Sequence, residues 1–196
     1  MKPSVKPLYS PARIARQVAR MGREISRTYA GQRVDVVITL EDAYMFSADL
    51  LRQIKSPVVC HFIRAQTHTV RIAGFERKEI FFGGEPDLAE RNVLLVEAVL
   101  DTGITLDFLA ERILETGPRS LKLAVLLDRP DTRRVALKPD FRGFQAASNY
   151  LVGYGLCDQN GLYRNLPYVG VLNGSPRAAR SVAGRAKSKK GKRVGK

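Results

Sequence analysis

Apolar positions near the start of the chain recur at helical spacing. Ser10 followed by Pro11 offers an N-cap oxygen and a proline at the first helical position, and Gly31 offers a stop signal. Steps of four, three and four residues separate the apolar positions in between, which predicts one buried face of an amphipathic helix. That face consists of Ile14, Val18, Met21 and Ile25.

Arginines recur on roughly the opposite face of the same predicted helix, at steps of three and four residues. They are Arg13, Arg16, Arg20, Arg23 and Arg27. Such a face suits phosphate binding, and it equally suits a helix side that is only solvated. The sequence leaves both interpretations open, although the solvated face is the commoner of the two.

Short apolar runs then alternate with helical patterns. Strands are predicted at residues 34–39, 58–63, 93–97 and 121–127, and helices at 43–54 and 105–115. This alternation indicates an α/β fold, in which a mostly parallel sheet is covered on both faces. The polar stretch from Arg64 to Lys78 lacks a clear period and is predicted to be a loop. After Asp140, short stretches around Phe144, 150–154 and 168–172 predict small strands beside that sheet.

Composition narrows the class of protein. The chain has 196 residues, of which 44% are hydrophobic, and this content fits one packed domain of ordinary size. Its two cysteines, Cys60 and Cys157, cannot form a disulfide framework. The first residues lack an apolar signal segment, and no apolar run is long enough to span a bilayer. We therefore expect a cytoplasmic protein that does not enter a membrane.

Positive charge is concentrated at the C-terminal end. Residues 177–196 hold nine Lys or Arg and no acidic residue, so the formal net charge of +14 falls to +5 for the remainder. We expect residues 1–174 to form the domain and residues 175–196 a basic disordered tail. Such a tail suits nucleic acid as a partner, and it equally suits a solubilising segment without one.

The segment VLLVEAVLDTGITL, residues 93–106, carries the most specific chemistry. An apolar strand leads through Glu97 into a short turn and then a helix. The glycine of the turn lets the backbone approach a ligand, and the following N–H groups and threonine hydroxyls can enclose a phosphate. Ligands of open α/β sheets bind at this strand edge. The turn consists of Asp101, Thr102, Gly103, Ile104 and Thr105.

This unit resembles the phosphoribosyl-pyrophosphate (PRPP) motif of type I phosphoribosyltransferases. The later segments ALKPDFRGF, YLVGYGL and LYRNLPYVGVL are similar to the hypoxanthine-guanine phosphoribosyltransferases, and so are the opening helix and VVITLEDAYMFSADL. The resemblance covers roughly residues 10–172. It implies an α/β fold of the type I phosphoribosyltransferase kind, with a mostly parallel sheet flanked by helices and a small β-rich hood.

The resemblance also implies roles for single residues around a purine base. Asp101 corresponds to the acid near N7 of the purine, where it assists proton transfer. Lys138 matches a lysine that donates to the oxygen at C6, which would favour hypoxanthine or guanine over adenine. Tyr150 takes the position of an aromatic that stacks on the base, and the main chain of Leu151 or Val152 would touch the base as well.

Further implied roles concern the pyrophosphate and a metal. Leu40, Glu41 and Arg164 lie where the family binds pyrophosphate, and the turn after Glu97 would bind the PRPP phosphate. The implied cofactor is Mg²⁺, with Glu97 and Asp158 as its candidate ligands. The resemblance also implies that Glu97 contacts PRPP and that Asp158 contacts the base. The implied assembly is a homodimer or tetramer.

Two departures from the family pattern change the charge of the site. The usual acidic pair before the turn is here Glu97 followed by Ala98, so one carboxylate is absent. The usual Leu-Lys-Gly of the pyrophosphate loop is here Leu40, Glu41 and Asp42. Carboxylates beside a polyanion should repel it by about 1 kcal/mol or more.

Two further departures concern loops. The mobile loop that closes over the reaction usually carries Ser-Tyr, and the corresponding residues here are Thr67 and His68. The usual Gly-Leu-Asp is lengthened by Cys157, so that the position of Asp158 relative to the site is left open.

Three functions remain open on this evidence. The first is a purine salvage enzyme that transfers phosphoribosyl from PRPP to hypoxanthine or guanine. The second is a catalytically weakened homologue that binds purine nucleotides. The third is a nucleic-acid-associated protein, with RNA as a possible partner, that uses the basic tail and the arginine face from Arg13 to Arg27. Metal-dependent hydrolysis is disfavoured because His61 and His68 are the only histidines.

Overall fold

The computed structural model describes residues 4–72, 75–82, 86–147 and 150–173. The strands are β1 Ser4–Tyr9, β2 Val34–Leu40, β3 Val58–Ile72, β4 Phe75–Phe82, β5 Asn92–Leu100, β6 Ser120–Asp128, β7 Phe141–Gln145, β8 Leu151–Val152 and β9 Val169–Asn173. The helices are α1 Pro11–Tyr29, α2 Tyr44–Leu51 and α3 Ile104–Glu115, with a 3-10 turn at Pro130–Thr132. Among the described helices, none combines the length and the apolar character needed to cross a membrane. The predicted tail, residues 175–196, lies outside the described residues.

Helix α1 begins and ends where its sequence signals indicated. The Arg13 N–H donates to Ser10 Oγ at 3.4 Å, Pro11 occupies the first turn, and Ala30 ends the helix in a left-handed conformation just before Gly31. Its predicted apolar face is buried against the sheet, together with α2. Helix α3 packs on the other face of the sheet, so helices cover both faces as predicted.

The main sheet has six strands in the order β4-β3-β2-β5-β6-β7. Five of them are parallel, and β4 alone runs antiparallel to its neighbour β3. The carboxyl ends of β2, β5 and β6 therefore meet at one edge of the sheet. Residues 41–42, 101–103 and 129 follow these strands directly, and this common edge carries the candidate site.

The loop predicted between Arg64 and Lys78 is wrong. Strand β3 continues to Ile72 and forms an antiparallel hairpin with β4, in which Thr67 pairs with Ile80 and His68 with Glu79. The prediction failed because residues with high strand propensity are interspersed with polar residues here, so that no apolar period is visible. The segment from Thr67 to Val70 is an example. The proposed mobile-loop residues thus belong to a hairpin that extends the edge of the sheet.

A second, three-stranded sheet of order β1-β9-β8 forms the small β-rich hood. The prediction missed β1, which pairs antiparallel with β9 at the far end of the domain. It also treated β7 as lying beside the main sheet, whereas β7 pairs parallel with β6 inside it. The hood contacts this strand through Tyr9, whose ring stacks on Phe144 at 4.1 Å between centroids and whose hydroxyl donates to the Gln145 carbonyl at 3.1 Å.

Candidate active site

The turn between β5 and α3 has the conformation that its sequence requires. Gly103 caps α3 with a φ of 82°, a left-handed value that favours glycine, and its carbonyl accepts the first helical hydrogen bond from Asp107 N at 2.8 Å. A Cβ atom at this position would lie 2.7 Å from Val135 Cγ2. Glycine is therefore needed twice, for the backbone angle and for the close approach of the segment after β6.

A cavity of about 190 Å³ opens at this turn. Its wall includes Thr39 and Leu40 from the end of β2, Glu97 from β5, and Thr102, Gly103 and Thr105 from the turn. The predicted phosphate-binding residues are thus brought together, except that Ile104 does not line the cavity and its side chain is 48% exposed. A helix N-terminus with free N–H groups at such a cavity suits a phosphate.

Glu97 is held inside the cavity wall by two hydrogen bonds. Thr39 Oγ1 donates to Glu97 Oε2 at 2.8 Å, and the Ala98 N–H donates to Oε1 at 2.6 Å. Burial of the carboxyl raises the pKa of Glu97 to about 7, although these hydrogen bonds favour the ionised form. Near neutral pH this carboxyl therefore exists in both protonation states, and it can accept from or donate to a sugar hydroxyl.

Asp101 is oriented by two residues that follow β6. Its Oδ2 accepts from Arg129 Nη1 at 3.2 Å, and its Oδ1 accepts from the Thr132 hydroxyl. The carboxylate remains 45% exposed, whereas the Arg129 side chain is only 16% exposed. The structure thus joins the predicted acid with a cation at the end of the neighbouring strand.

Arg133 connects the turn to the strand end beside it. Its guanidinium donates to the carbonyls of Leu100 at 3.2 Å, Asp101 at 3.0 Å and Leu137, and it pairs with the buried Asp128 at 2.5 Å. A planar group with five N–H donors can make all of these bonds at once. Arg133 therefore fixes the backbone on which Asp101 and the turn depend.

The acidic pair after β2 is neutralised by two arginines. Glu41 pairs with Arg64 at 2.6 Å and with Arg164 at 3.4 Å, and Asp42 pairs with Arg164 at 2.5 Å. A cis peptide bond joins Leu40 to Glu41. The charges of the carboxylates that were expected to repel pyrophosphate are thus balanced. Arg64 and Arg164, the cations that could bind pyrophosphate here, are already paired with these carboxylates.

These residues surround a second cavity of about 290 Å³. It shares Thr39, Leu40 and Glu97 with the cavity at the turn, so the two adjoin along the sheet edge. Arg164, which the sequence predicted to lie near the pyrophosphate, lines this second cavity. Together the two cavities offer one subsite beside the phosphate turn and another beside the residues at positions 41 and 42.

The residues predicted to contact the base are not all brought together. Tyr150 is half-buried just before β8, and Leu151 is buried in the hood, where it pairs with Val171. Lys138 lines a separate cavity of about 680 Å³ that shares no residue with the two cavities at the sheet edge. The cation next to Asp101 is instead Arg129.

Asp158 organises its own loop. Its Oδ1 accepts from the N–H groups of Asn160 at 2.9 Å and Leu162 at 3.0 Å. Across the described ranges, no group of three or more His, Cys, Asp and Glu side chains is arranged to hold a metal ion. Carboxylates that act singly fit Mg²⁺ only when a substrate supplies most of the oxygen ligands, which is how this ion commonly binds with phosphates.

Sequence reasoning missed Arg129, Thr132 and Arg133, although they contact the turn directly. One signal was present, because this segment follows the carboxyl end of a predicted strand, the edge where α/β proteins bind ligands. The long-range partners themselves could not be predicted, since Arg133 reaches Leu100 and Asp101 across more than thirty positions.

The sheet order, the hood and the glycine turn before α3 are those of the type I phosphoribosyltransferase class of fold. The model of the phosphoribosyl transferase domain matches residues 4–159, and the chain belongs to this family. The resemblance noted from the sequence is thereby confirmed.

Known relatives of this chain lie within the same family. The hypoxanthine phosphoribosyltransferase of Salmonella typhimurium is 33% identical over 172 residues, which cover 87% of this chain and 96% of the relative. The bifunctional protein TilS/HprT of Listeria innocua is 34% identical over 167 residues, 85% of this chain but only about a quarter (26%) of that longer protein. A crystal structure of a hypoxanthine-guanine phosphoribosyltransferase from Bacillus anthracis superposes with a TM-score of 0.75 at 32% identity, covering 86% of this chain and 99% of that one.

Proposed function

We propose that this protein is a purine salvage enzyme that transfers the phosphoribosyl group of PRPP to hypoxanthine or guanine. A purine nitrogen attacks C1′ of PRPP, the bond from C1′ to the pyrophosphate oxygen breaks, and pyrophosphate leaves. The observation that carries the proposal is the glycine-capped turn at the start of α3, which opens on a cavity shared with Glu97. The names of the relatives support the same reaction.

In this proposal each group at the sheet edge has one task. The N–H groups and hydroxyls of the turn bind the 5′-phosphate, and Glu97 bonds a ribose hydroxyl. Asp101 takes the purine proton as the new bond forms, because its half-exposed carboxylate lies next to the turn. Arg64 and Arg164 bind pyrophosphate once it displaces Glu41 and Asp42 from them.

The proposed cofactor is Mg²⁺ bound together with PRPP. It would supply positive charge to the departing pyrophosphate, a role that metal ions serve in such transfers. Asp158 and Glu97 are its candidate protein ligands, one oxygen each, with the remaining ligands drawn from PRPP and water.

We further propose that Arg129, rather than Lys138, selects 6-oxo purines. Arg129 is largely buried and lies beside Asp101, whereas Lys138 lines a different cavity. A buried donor that faces the amino group of adenine loses its acceptor, which costs about 1–3 kcal/mol. Arg129→Met should therefore lower the preference for IMP over AMP by roughly tenfold or more, and Lys138→Met should leave that preference unchanged. The reverse result would return the role to Lys138.

The second candidate is a catalytically weakened protein that binds purine nucleotides. Two observations favour it: Ala98 replaces a carboxylate, and Glu41 and Asp42 occupy the arginines that pyrophosphate needs. This candidate and the enzyme share the nucleotide pocket, so only turnover separates them.

A pair of matched variants tests the enzyme directly. Asp101→Asn should lower turnover of hypoxanthine and PRPP with Mg²⁺ by about a hundredfold or more, the usual contribution of an acid–base group. Asp107→Asn, one turn along α3, is the control and should stay near the parent. IMP binding measured by calorimetry completes the test. Binding without turnover in the parent would establish the second candidate instead.

We also propose that the protein assembles as a homodimer or tetramer, as the family resemblance implies. Phe62 on β3 is 60% exposed, at a position where β3 pairs with β2 on one side and β4 does not reach the other side. Light scattering should give a mass of at least two chains, and Phe62→Glu should lower it. A monomeric parent would contradict this assignment.

A further inference from the structure

Helix α1 carries a continuous row of arginines on its outer side. At 100° per residue, Arg13, Arg16, Arg20, Arg23 and Arg27 fall within a stripe about 80° wide that runs about 21 Å along the helix. We call these five residues the α1 basic stripe. Four of them are exposed and Arg20 is half-buried, while the apolar face opposite them is buried in the core. The stripe is thus a permanent feature of the folded surface.

Little negative charge offsets this stripe. Glu24 is the single acidic residue of α1, and Arg20 Nη1 already pairs with it at 2.6 Å. Within the part of the chain that the structure describes, Arg16, Arg23 and Arg27 form no ion pair, and Arg13 lies over the rings of Tyr9 and Phe144 at 5.0 and 5.5 Å. The stripe therefore presents cations that are available to an external anion.

The stripe leads into the cavity of about 680 Å³ that lies away from the sheet edge. Arg20 belongs to both, and it also donates to the Arg142 carbonyl on the cavity wall at 2.5 Å. Lys138 and Arg142 add positive charge to this wall. The apolar part of the lining consists of Pro130, Val135, Ala136, Leu137 and Pro139, and Arg133 and three carboxylates complete it. Each carboxylate is already paired with a cation: Glu24 with Arg20, Asp128 with Arg133 and Arg142, and Asp140 with Lys122. A cavity with an apolar wall, and with more cations than carboxylates in its lining, suits a planar base attached to a phosphate.

We propose that the α1 basic stripe and this cavity bind a single-stranded nucleic acid. Its phosphodiester backbone lies along the stripe, where arginines spaced over about 21 Å can contact several successive phosphates, and one unpaired base enters the cavity. Arginine suits this contact because its planar fork bonds two phosphate oxygens together. The proposal does not depend on the transferase reaction, since none of these arginines lines the two cavities at the sheet edge.

An anionic membrane is the weaker choice of polyanion. A helix that binds a bilayer surface inserts its apolar face below the headgroups. The apolar face of α1 is unavailable for this, because Ile14, Val18, Met21 and Ile25 are at most 2% exposed. A concave pocket at the end of the stripe also fits a discrete ligand better than a flat surface.

Charge reversal on the stripe, with a matched control, tests the proposal in the full chain. The variant carries Arg16→Glu, Arg23→Glu and Arg27→Glu, which leave Arg13 on its aromatic rings and Arg20 on Glu24. The control carries Arg91→Glu, Arg112→Glu and Arg119→Glu, which change the net charge equally but lie on or near α3 and the opposite end of β5 and β6. Fluorescence anisotropy with a twelve-nucleotide RNA of mixed sequence measures the affinity at several salt concentrations.

We expect the stripe variant to bind at least tenfold more weakly than the control, with a salt slope smaller by about two because three phosphate contacts are lost. Both proteins keep the basic tail, so its contribution cancels in the comparison. Equal losses in the two variants, or no binding by the parent, would overturn the proposal. Thermal melting and transferase assays of both variants verify that the domain is folded.

The cavity has a separate test. Ala136 is exposed at the cavity wall, so that Ala136→Trp should fill the space for a base, while Ala136→Ser is the control. The tryptophan variant should lose affinity for the single-stranded RNA several-fold and keep its affinity for a duplex of the same sequence. An unchanged affinity for both would remove the cavity from the proposed interface.

Discussion

The carboxyl of Glu97 is subject to opposing influences at a position that the proposed reaction uses. Burial favours the neutral acid and raises the pKa to about 7, while the hydroxyl of Thr39 and the Ala98 N–H favour the anion. In the proposed reaction this single carboxyl would perform the task that the family resemblance assigns to a pair, because Ala98 occupies the second position. Its protonation is therefore a property that an experiment can follow.

Stability should depend on pH through Glu97. In the unfolded chain its pKa is near 4.5, so between about pH 4.5 and 7 the folded state binds more protons and stability falls as the pH rises. The carboxyl keeps some contact with the cavity, so we expect a loss of about 1–2 kcal/mol rather than the full shift. Urea unfolding at pH 5, 6 and 7 measures this loss. Glu97→Gln should flatten the dependence, and an equal slope in that variant would assign the effect to another group.

A second prediction at the residue scale concerns Arg133. Arg133→Met removes three carbonyl contacts and leaves Asp128 without its more deeply buried partner, so unfolding should become easier by about 3 kcal/mol or more. Arg142→Met is the matched control, since Arg142 pairs with the same carboxylate but is 49% exposed, and its loss should cost under 1 kcal/mol. Chemical denaturation compares the two. If both variants lost a similar free energy of unfolding, the loss would come from removing a partner of the Asp128 carboxylate and not from the contacts of Arg133 with the turn.

At the scale of elements, the loop after β2 shows how an unfavourable substitution is accommodated. Glu41 and Asp42 would repel pyrophosphate if they were alone, yet Arg64 and Arg164 lie against them. The expected repulsion thus becomes a competition, in which the substrate must replace the protein's own carboxylates at two guanidinium groups. We therefore expect the cost of that exchange, rather than bare repulsion, to limit PRPP binding.

Removal of one of the two carboxylates that pair with Arg164 should strengthen PRPP binding. Asp42→Asn removes the carboxylate that pairs with Arg164 at 2.5 Å, and we expect kcat/KM for PRPP to rise about tenfold, or about 1.4 kcal/mol. The gain should disappear in the double variant Asp42→Asn, Arg164→Met, because the freed cation is then absent. Steady-state kinetics with hypoxanthine in excess measures each step. A gain that survives in the double variant would locate the effect elsewhere.

The elements themselves were predicted to different degrees. The turn at Gly103 could be predicted because its glycine and threonines act locally, through their own backbone. The hairpin of β3 and β4 could not, since strand pairing depends on a partner rather than on a periodic pattern. Strand β1 was missed because Pro7 interrupts a short, mostly exposed segment, and proline is tolerated there only at the edge of a sheet.

For the molecule as a whole, the residues of the proposed reaction and the two main concentrations of Lys and Arg lie in different parts of the sequence. The described residues of the proposed reaction all lie before position 174, while nine of the 33 Lys and Arg residues lie after position 176. Basic groups on α1 form a second concentration on one face of the domain. The sequence already indicated both groups of cations, but only the folded chain relates the helix to a cavity.

Truncation after Gly174 should therefore separate two properties. Transferase activity should remain within about twofold of the full chain, and RNA should bind more weakly with a smaller salt slope, because up to nine cations are removed. The residual affinity should depend on Arg16, Arg23 and Arg27. Anisotropy and a pyrophosphate-release assay on the same preparation check both. A large loss of activity would show that the tail contributes to the reaction.

The pairing of β1 with β9 has a consequence for how the protein folds during translation. Ser4 of β1 pairs with Asn173 of β9. Strand β1 therefore leaves the ribosome long before β9, its pairing partner, has been synthesised. The strands of the main sheet are synthesised one after another and can pair as they appear. The hood needs β9, so we expect it to form last. We therefore expect the segment Ser4–Tyr9 to stay unpaired longest during translation, and its lysine and proline are residues that disfavour pairing with strands of other nascent chains.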